Sequence, residues 1–194
     1  MLTLIGIPTA NSVEAETLKS IYGQAEADTD TSLDIQYGFR IDVQRNILCE
    51  EAIRIGADYL LMVDSDVVLP DTALRDLLDP PVEIVSGLVR IKGLRHKGEY
   101  AAVFKSKPLL YDALPEGRSR VNWCGGACLM IKTSILKDIP KPWFEYHEEK
   151  GARAISEDIW FCMQATKAGI PIWADKRVAC GHIIKEQYGF KEGI

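Results

Sequence analysis

The fold of this chain is set by the stretch Tyr59-Leu60-Leu61-Met62-Val63-Asp64-Ser65-Asp66. Its five consecutive apolar or aromatic residues predict a β-strand that is buried on both faces, and the run ends abruptly at two carboxylates. Because side chains alternate along an extended backbone, we expect Asp64 and Asp66 to point the same way. Two hard oxygen ligands suit a divalent cation that also holds phosphate. The sequence therefore predicts a metal and phosphate site at the end of this strand.

The same carboxylate spacing occurs a second time, at Asp28-Thr29-Asp30. This pair lies in a polar run from Glu26 to Ser32 and has no buried strand before it. Spacing alone is therefore uninformative, because a strand followed by a solvated acidic turn would have the same letters. The buried strand that precedes Asp64 is what favours a functional role for the pair at Asp64 and Asp66.

The composition fits a single domain over residues 1–194. The chain has 194 residues, of which 47% are hydrophobic, and this is enough for a substantial core. The formal net charge is −5, from 23 basic and 28 acidic residues. A mildly acidic protein is poorly suited to bind nucleic acid by neutralising phosphates. We therefore expect a small charged ligand held by a metal, and no nucleic-acid partner.

The beginning of the chain, from Met1 to Pro8, lacks the basic region of a signal peptide, and no apolar run approaches the ~18 residues of a transmembrane helix. We therefore expect a soluble, cytoplasmic protein with no transmembrane segment. The five cysteines are odd in number and include no Cys-x-x-Cys pair. This pattern argues against a zinc ribbon and against a secreted disulfide framework, so we expect small core residues.

Strand-like and helix-like segments alternate through the first half of the chain. Asn11 and Glu14 have the spacing of a capping box, and Asp42 is placed to cap a second helix. Strands are expected at 2–7, 33–37, 59–63 and 82–89, and helices at about 11–24, 42–55 and 70–79. This alternation predicts an α/β fold with a mostly parallel central sheet flanked by helices on both faces. In such sheets, ligands bind beyond the carboxyl ends of the strands, which is where the acidic pair lies.

The second half begins with two short strand candidates, at 100–104 and 109–113, and a basic stretch at 92–97. The basic stretch is either a solvated loop or a site for substrate phosphate. Residues 140–156 show no apolar periodicity but are rich in aromatic side chains. Long loops in compact domains are usually functional or disordered, and aromatic content argues against disorder. We interpret this segment as a loop that covers the substrate.

Gly125 and Gly126 stand at the head of an apolar strand that ends at Ile131. Adjacent glycines let a ligand or another backbone approach closely, although a bulge needed only for packing would explain them equally well. Trp123 comes just before them. Its ring is either a platform for a sugar or a core residue.

The segment Ser156-Glu157-Asp158 opens a helix that Gly169 ends. Acidic residues in a first helical turn are ordinary capping and dipole chemistry, so alone they indicate no function. Closing strands are expected at 170–174 and 178–180, with His182 after them. A single histidine at this place is equally unremarkable in isolation.

Seven short motifs follow one another along the chain: Ile7-Pro8-Thr9, Arg45-Asn46, Asp64-Ser65-Asp66, Gly125-Gly126-Ala127, Pro142-Trp143-Phe144, Glu157-Asp158 and Gly181-His182. Each is weak alone, but their order closely resembles glycosyltransferases of the GT-A fold, particularly small family-2-like members. The resemblance spans almost the whole chain. It implies a nucleotide-sugar-dependent transferase with a Mn²⁺ or Mg²⁺ ion that bridges the donor diphosphate. It also implies a nucleotide-sugar half at about 1–90 and an acceptor half at about 91–194.

The resemblance implies a role for each matching position. Asp66 would bind the metal directly, Asp64 would contact the ribose or a metal-bound water and share in the metal site, and His182 would be the third protein ligand. The residues implied for the nucleotide-sugar pocket are Pro8, Thr9, Arg45, Asp64 and Ser65. Those implied for the acceptor and sugar are Trp123, Gly125, Gly126 and Trp143.

Glycosyl transfer also needs a base, because the acceptor hydroxyl must lose its proton as it attacks the anomeric carbon. The family pattern gives this role to the second acid of Glu157-Asp158, with Glu157 as its orienting neighbour or as a contact to the acceptor. Asp158 as a dedicated base implies inversion at the anomeric carbon, whereas an Asp158 that only binds substrate would be compatible with retention. The acceptor could be a glycan, a lipid-linked molecule or a protein.

Two alternatives start from the same residues. The stretch Asp64-Ser65-Asp66-Val67-Val68 also resembles the first motif of haloacid-dehalogenase-type phosphatases, in which the first aspartate is a nucleophile. A catalytically inactive GT-A domain that binds only a sugar nucleotide or a protein partner is the other alternative. The chain also departs from the family by lacking a clear acidic residue after Leu33 to read the base, for which Asp34 or Asp42 could serve.

Overall fold

The computed structural model describes residues 1–24, 27–90, 99–104, 108–110, 114–147 and 154–183. The strands within these ranges are β1 (Leu2–Pro8), β2 (Asp30–Gln36), β3 (Tyr59–Val63), β4 (Val67–Val68), β5 (Ile84–Val89), β6 (Glu99–Phe104), β7 (Pro108–Leu110), β8 (Arg118–Val121), β9 (Cys128–Lys132) and β10 (Ile172–His182). The helices are α1 (Ala15–Tyr22), α2 (Ile41–Arg54), α3 (Ala73–Leu78) and α4 (Glu157–Lys167), with a 3-10 helix at Thr133–Asp138.

The main sheet has eight strands in the order β2-β1-β3-β9-β5-β10-β4, with β8 paired to β10. Strand β1 is parallel to β2 and β3, and β10 is parallel to β5. Strand β9 lies between β3 and β5 and is antiparallel to both, so β2, β1, β3, β5 and β10 all run in one direction. This confirms the predicted α/β fold with a mostly parallel central sheet. Strands β6 and β7 pair with each other in a separate hairpin.

The reversed direction of β9 brings its first residues to the edge where the parallel strands end. The amide of Asp64, just after β3, donates to the carbonyl of Ala127, just before β9, at 3.0 Å. Gly125 and Gly126 therefore reach the carboxyl edge of the sheet. The long strand β10 ends at the same edge because it is parallel to β5, and this places His182 there.

Hydrophobic residues pack on both faces of the sheet, as the alternation of side chains along β3 requires. Leu60 and Met62 belong to a core that includes Leu48 of α2 and Phe161 of α4. Leu61 and its neighbours on the other face pack with α1 and α3. All five side chains of β3 are buried, and each contributes on the order of 1.5–3 kcal/mol to stability. The prediction of helices on both faces is confirmed.

Two predicted helix caps are wrong. Helix α1 begins at Ala15 after Glu14, with no side-chain cap, so Asn11 does not form a capping box. The amide of Glu14 instead donates to the carbonyl of Ser65 at 2.9 Å, and this tertiary contact fixes where the helix begins. Helix α2 begins at Ile41, so Asp42 lies in its first turn and pairs with Arg40 rather than capping. A tertiary contact thus accounts for the first position, and a local ion pair for the second.

Other expectations are settled only in part. All five cysteines are free and buried, which confirms their place in the core. The two closing strands are one strand, β10, with an irregularity between Asp175 and Ala179. The basic stretch at 92–97, part of the strand at 109–113 and residues 148–153 of the loop lie outside the described residues. Within the described ranges, no helix has the length and hydropathy needed to cross a membrane.

Candidate active site

The acidic pair lies in a tight turn between β3 and β4. The amide of Val67 donates to the carbonyl of Asp64 at 3.1 Å, so the chain reverses within four residues. The expectation of an extended backbone through Asp64 and Asp66 is therefore wrong, although the two carboxylates are close enough for the charge of Asp66 to act on Asp64. The carbonyl of Ser65 accepts from the amide of Glu14, which ties the turn to the start of α1.

His182 lies against the second carboxylate of this turn. Its Nε2 atom is 3.4 Å from Oδ1 of Asp66, and its Nδ1 atom is 2.7 Å from the carbonyl oxygen of Arg90. Because a carbonyl only accepts, Nδ1 is the donor of that bond. In the neutral ring, Nε2 then presents its lone pair toward Asp66. This is the usual way in which proteins orient a metal-binding histidine.

Arg45 lies beneath the turn rather than in an open pocket. Its side chain is only 2% exposed, and its Nη2 atom is 3.0 Å from Oδ1 of Asp64. On its other side, Nε is 3.5 Å from Oε1 of Glu157 at the start of α4. Burial raises the pKa of Asp64 above its ordinary range, while the charge of Arg45 acts in the opposite direction.

Glu157 and Asp158 have different surroundings. Glu157 is buried, and this raises the pKa of its carboxyl, although Arg45 opposes the shift. It also shares a hydrogen bond with the hydroxyl of Tyr146, and burial together with the charge of Glu157 raises the pKa of Tyr146 to about 12. Sequence reasoning did not single out Tyr146 as a site residue, because an exposed tyrosine in a loop carries no motif.

The carboxylate of Asp158 is half-buried, and both of its oxygens accept hydrogen bonds. Its Oδ1 accepts from the hydroxyl of Ser156 and from the amide of Ile159, the latter at 2.8 Å. Its Oδ2 accepts from the amide of Gly126 at 3.3 Å. Asp158 therefore stabilises the start of α4 and also faces the glycine segment at the edge of the sheet.

A cavity of about 230 Å³ opens beside the acidic turn. Its walls are formed by Pro8, Thr9, Ala10, Phe39, Ile41, Gln44, Asp64, Ser65 and Asp66. The residues predicted for the nucleotide pocket thus lie together, with the exception of Arg45 below them. Gln44 was missed by sequence reasoning, yet its buried amide holds the loop after β1. Its Oε1 accepts from the amide of Thr9 at 2.7 Å, and its Nε2 donates to the carbonyl of Thr9 at 3.1 Å.

The two tryptophans predicted for the acceptor site pack with the core. Trp143 is 2% exposed, and its Nε1 donates to the carbonyl of Leu136 at 2.8 Å. Trp123 is partly buried and packs against the same core. The structure does not bring Trp143 to the acidic residues, whereas Gly125 and Gly126 do lie beside them.

A larger cavity, of about 1160 Å³, lies at the opposite edge of the sheet. It is bordered by Tyr59 at the start of β3, by Lys132 at the end of β9 and by Trp143. None of the acidic residues at the turn lines it. Of these two cavities, the smaller is therefore the better candidate for a site, because it adjoins the carboxylates of Asp64 and Asp66.

The donor set at the turn fits a divalent cation that is shared with a ligand. Within the described residues, no three His, Cys, Asp or Glu side chains are grouped as a complete metal cage. Asp66 and His182 nevertheless approach one another with an oxygen and a nitrogen, and Asp64 adjoins them. Mg²⁺ and similar ions commonly use one or two protein carboxylates and complete their coordination with water and phosphate. The residues present suit that type of site.

Solved structures share the fold of this chain. The crystal structure of A197 from STIV aligns with 95% of this chain and 87% of its own, at 23% identity and a TM-score of 0.69. The crystal structure of GalNAc-T7 with UDP, GalNAc and Mn²⁺ aligns with 96% of this chain at 9% identity and a TM-score of 0.63. This chain covers 44% of GalNAc-T7. No family model and no curated protein matches the sequence. At these identities the likeness establishes the GT-A fold.

Proposed function

We propose that the protein is a metal-dependent glycosyltransferase that moves a sugar from a nucleotide-sugar donor to an acceptor hydroxyl, with inversion at the anomeric carbon. One observation carries this proposal. The acidic turn, His182 and the start of α4 come from distant segments and meet at one edge of the sheet, beside a cavity. The GT-A fold supports the proposal, and it gives the phosphatase alternative no support.

On the donor side, Asp66 and His182 would hold Mn²⁺ or Mg²⁺, with Asp64 beside them. When bound, the ion would neutralise the charge that develops on the departing nucleoside diphosphate. Pro8, Thr9 and Ser65 would contact the nucleotide in the adjoining cavity. Thr9 is already rigid there, because the buried amide of Gln44 holds both its backbone groups.

On the acceptor side, Asp158 would accept the proton of the attacking hydroxyl. Its Oδ2 accepts from the amide of Gly126 at the sheet edge, and its negative charge contributes to raising the pKa of Asp64. Glu157 would orient this region, because its carboxylate forms an ion pair with Arg45 and shares a hydrogen bond with Tyr146. We further propose that residues 1–90 supply most of the donor pocket and residues 91–194 most of the acceptor side, in one domain.

Isothermal calorimetry with UDP, with and without Mn²⁺, tests this proposal. UDP and Mn²⁺ are suitable probes because both occur in the GalNAc-T7 structure. We expect binding to be at least about tenfold tighter with Mn²⁺, since the ion links the diphosphate to carboxylates. GDP and dTDP serve as parallel probes of the base, and inorganic phosphate probes the phosphatase alternative. Preference for phosphate alone, or nucleotide affinity that does not change with metal, would contradict the proposal.

A further inference from the structure

Arg45 is the one described residue that forms ion pairs with both sides of the proposed site. Nη2 reaches Asp64, at the end of β3, at 3.0 Å, and Nε reaches Glu157, at the start of α4, at 3.5 Å. The carboxylates come from segments that are far apart in sequence, and the side chain between them is 2% exposed. A guanidinium suits this position because it is planar and always charged and can face two partners at once.

Gly126 leaves the space that the guanidinium of Arg45 occupies. A Cβ atom built on Gly126 would overlap Nη1 of Arg45, so only glycine leaves room for the group. The amide of Gly126 donates to Oδ2 of Asp158 at 3.3 Å. From another direction, the ring of Phe144 lies 5.8 Å from Cζ of Arg45. The guanidinium is thus enclosed by the glycine backbone, an aromatic ring and two carboxylates.

The position of Arg45 separates it from direct donor contact. It is absent from the walls of the cavity beside the acidic turn, whereas Asp64 forms part of them. The ion pairs of Arg45 are with Asp64 and Glu157. We therefore expect Arg45 to affect a bound donor mainly through the position of Asp64, which it contacts and which lines the cavity.

We propose that Arg45 is a positioning residue that holds the donor-side carboxylate Asp64 and the acceptor-side carboxylate Glu157 in one fixed arrangement. The inference rests on the proposed glycosyltransferase function. It assigns Arg45 a different role from the one that the family resemblance implied, which was to line the nucleotide pocket. Gly126 contributes to the same arrangement, because its lack of a side chain lets the guanidinium lie between Asp64 and Glu157.

Three variants and a control test this role. Arg45→Lys keeps the positive charge but replaces the planar guanidinium by a single ammonium group. Gly126→Ala keeps Arg45 but displaces its guanidinium, because the new Cβ would occupy the position of Nη1. Arg45→Met removes the charge and leaves the partly exposed Asp64 and the buried Glu157 without their cationic partner, so it is the variant with the greatest risk of misfolding. The control is Gly23→Ala, because the new Cβ would meet its nearest atom at an ordinary 3.4 Å, far from the site.

Each protein is assayed with Mn²⁺ for turnover of a panel of UDP-, GDP- and dTDP-sugars in water, for Kd of the matching nucleoside diphosphate, and for Tm. For Arg45→Lys and Gly126→Ala, we expect kcat to fall about 100-fold, the effect of misplacing a reacting group by about 1 Å. We expect Kd to change less than about threefold, because Asp66 and His182 remain in place. The control should match the wild type in both values.

The outcomes separate this inference from the proposed function. A wild type that turns over no donor in the panel refutes the glycosyltransferase itself. If the wild type is active, a tenfold or larger rise in Kd with unchanged kcat shows direct donor contact and overturns the positioning role. Unchanged kcat in folded Arg45→Lys and Gly126→Ala, whatever their Tm, shows a purely structural role and also overturns it.

Discussion

The Nε2 atom of His182 lies 3.4 Å from Oδ1 of Asp66, although the two residues are far apart in the sequence. The pairing depends on β10, whose last residues pair with β4 directly after the acidic turn. The amide of Ile183 also donates to the carbonyl of Asp66 at 2.9 Å, so the backbones are locked together. His182 is thereby held toward the carboxylates before any ligand binds.

Replacing this imidazole should weaken metal-assisted binding. For His182→Ala we expect UDP affinity in the presence of Mn²⁺ to fall about 10- to 100-fold, since a nitrogen ligand and its oriented contact are lost. Affinity without metal should not change. Calorimetry measures both values. His147→Ala is the matched control, because His147 stacks on Trp160 away from the turn. Wild-type affinity in His182→Ala would return this histidine to a structural role.

Asp66, the second carboxylate of the turn, should contribute more to metal-assisted UDP binding than an aspartate of the other Asp-x-Asp segment, Asp28-Thr29-Asp30. We expect Asp66→Asn to abolish the gain in UDP affinity that Mn²⁺ gives, because a neutral amide binds a hard cation poorly. Asp28→Asn changes the same residue type in the repeated Asp-x-Asp spacing, at an exposed position, and should behave as wild type. Equal losses in both variants would mean that charge in general, rather than this turn, supports binding.

Asp158→Asn should separate catalysis from binding. The side-chain oxygen of the new asparagine can still accept from Ser156 and Ile159. Its NH₂ group, however, would face the backbone N–H of Gly126, and two donors cannot bond to each other. We therefore expect a loss of stability of about 1 kcal/mol. Turnover should fall about 10²- to 10⁴-fold, the usual contribution of a positioned base, while UDP affinity is retained.

The matched control for that change is Asp138→Asn, an exposed aspartate in the 3-10 helix at the other end of β9. Its turnover should equal that of the wild type. If Asp158→Asn turned over donor at a similar rate, Asp158 would be a helix-capping residue and another group would have to accept the proton.

The sequence predicted what depends on local pattern and missed what depends on distant contacts. The buried run at β3 and the alternation of strands and helices correctly predicted the sheet and the position of the acidic pair at the carboxyl end of β3. The tight turn at Asp64 and the start of α1 at Ala15 were not predicted, because both are set by contacts between the two segments. Gln44 and Tyr146 were missed because a polar residue in a helix or loop shows no pattern until its partner is known.

The buried aspartate of β10, Asp175, is another feature that the sequence pattern did not predict. Asp175 is fully buried and accepts from Arg118 at 2.8 Å and from Arg177 at 2.6 Å. Burial alone would raise its pKa, but the hydrogen bonds from Arg177 and Arg118 outweigh this effect and lower it. Arg118 also donates to the carbonyl of Leu77, so the group ties β8 and β10 to the end of α3.

Asp175 should therefore make stability depend on pH at the acid end. Its folded pKa lies below the unfolded value of about 3.9, so its contribution is complete above that pH and is lost as pH falls through the folded pKa. We expect Asp175→Asn to lower the free energy of unfolding by about 3 kcal/mol at pH 7, with the deficit shrinking below about pH 4. Urea unfolding across this range measures it. A deficit that stays constant down to pH 3 would contradict the lowered pKa.

The most direct test of the glycosyltransferase proposal is NMR of the reaction itself. The wild-type protein is incubated with each donor of the UDP-, GDP- and dTDP-sugar panel, with Mn²⁺ or with EDTA, and the anomeric proton of the first product is recorded before it equilibrates. We predict that at least one donor releases its nucleoside diphosphate only when Mn²⁺ is present and that the sugar appears first with inverted configuration. Release of inorganic phosphate, a product of retained configuration or the absence of turnover with every donor would contradict the proposal.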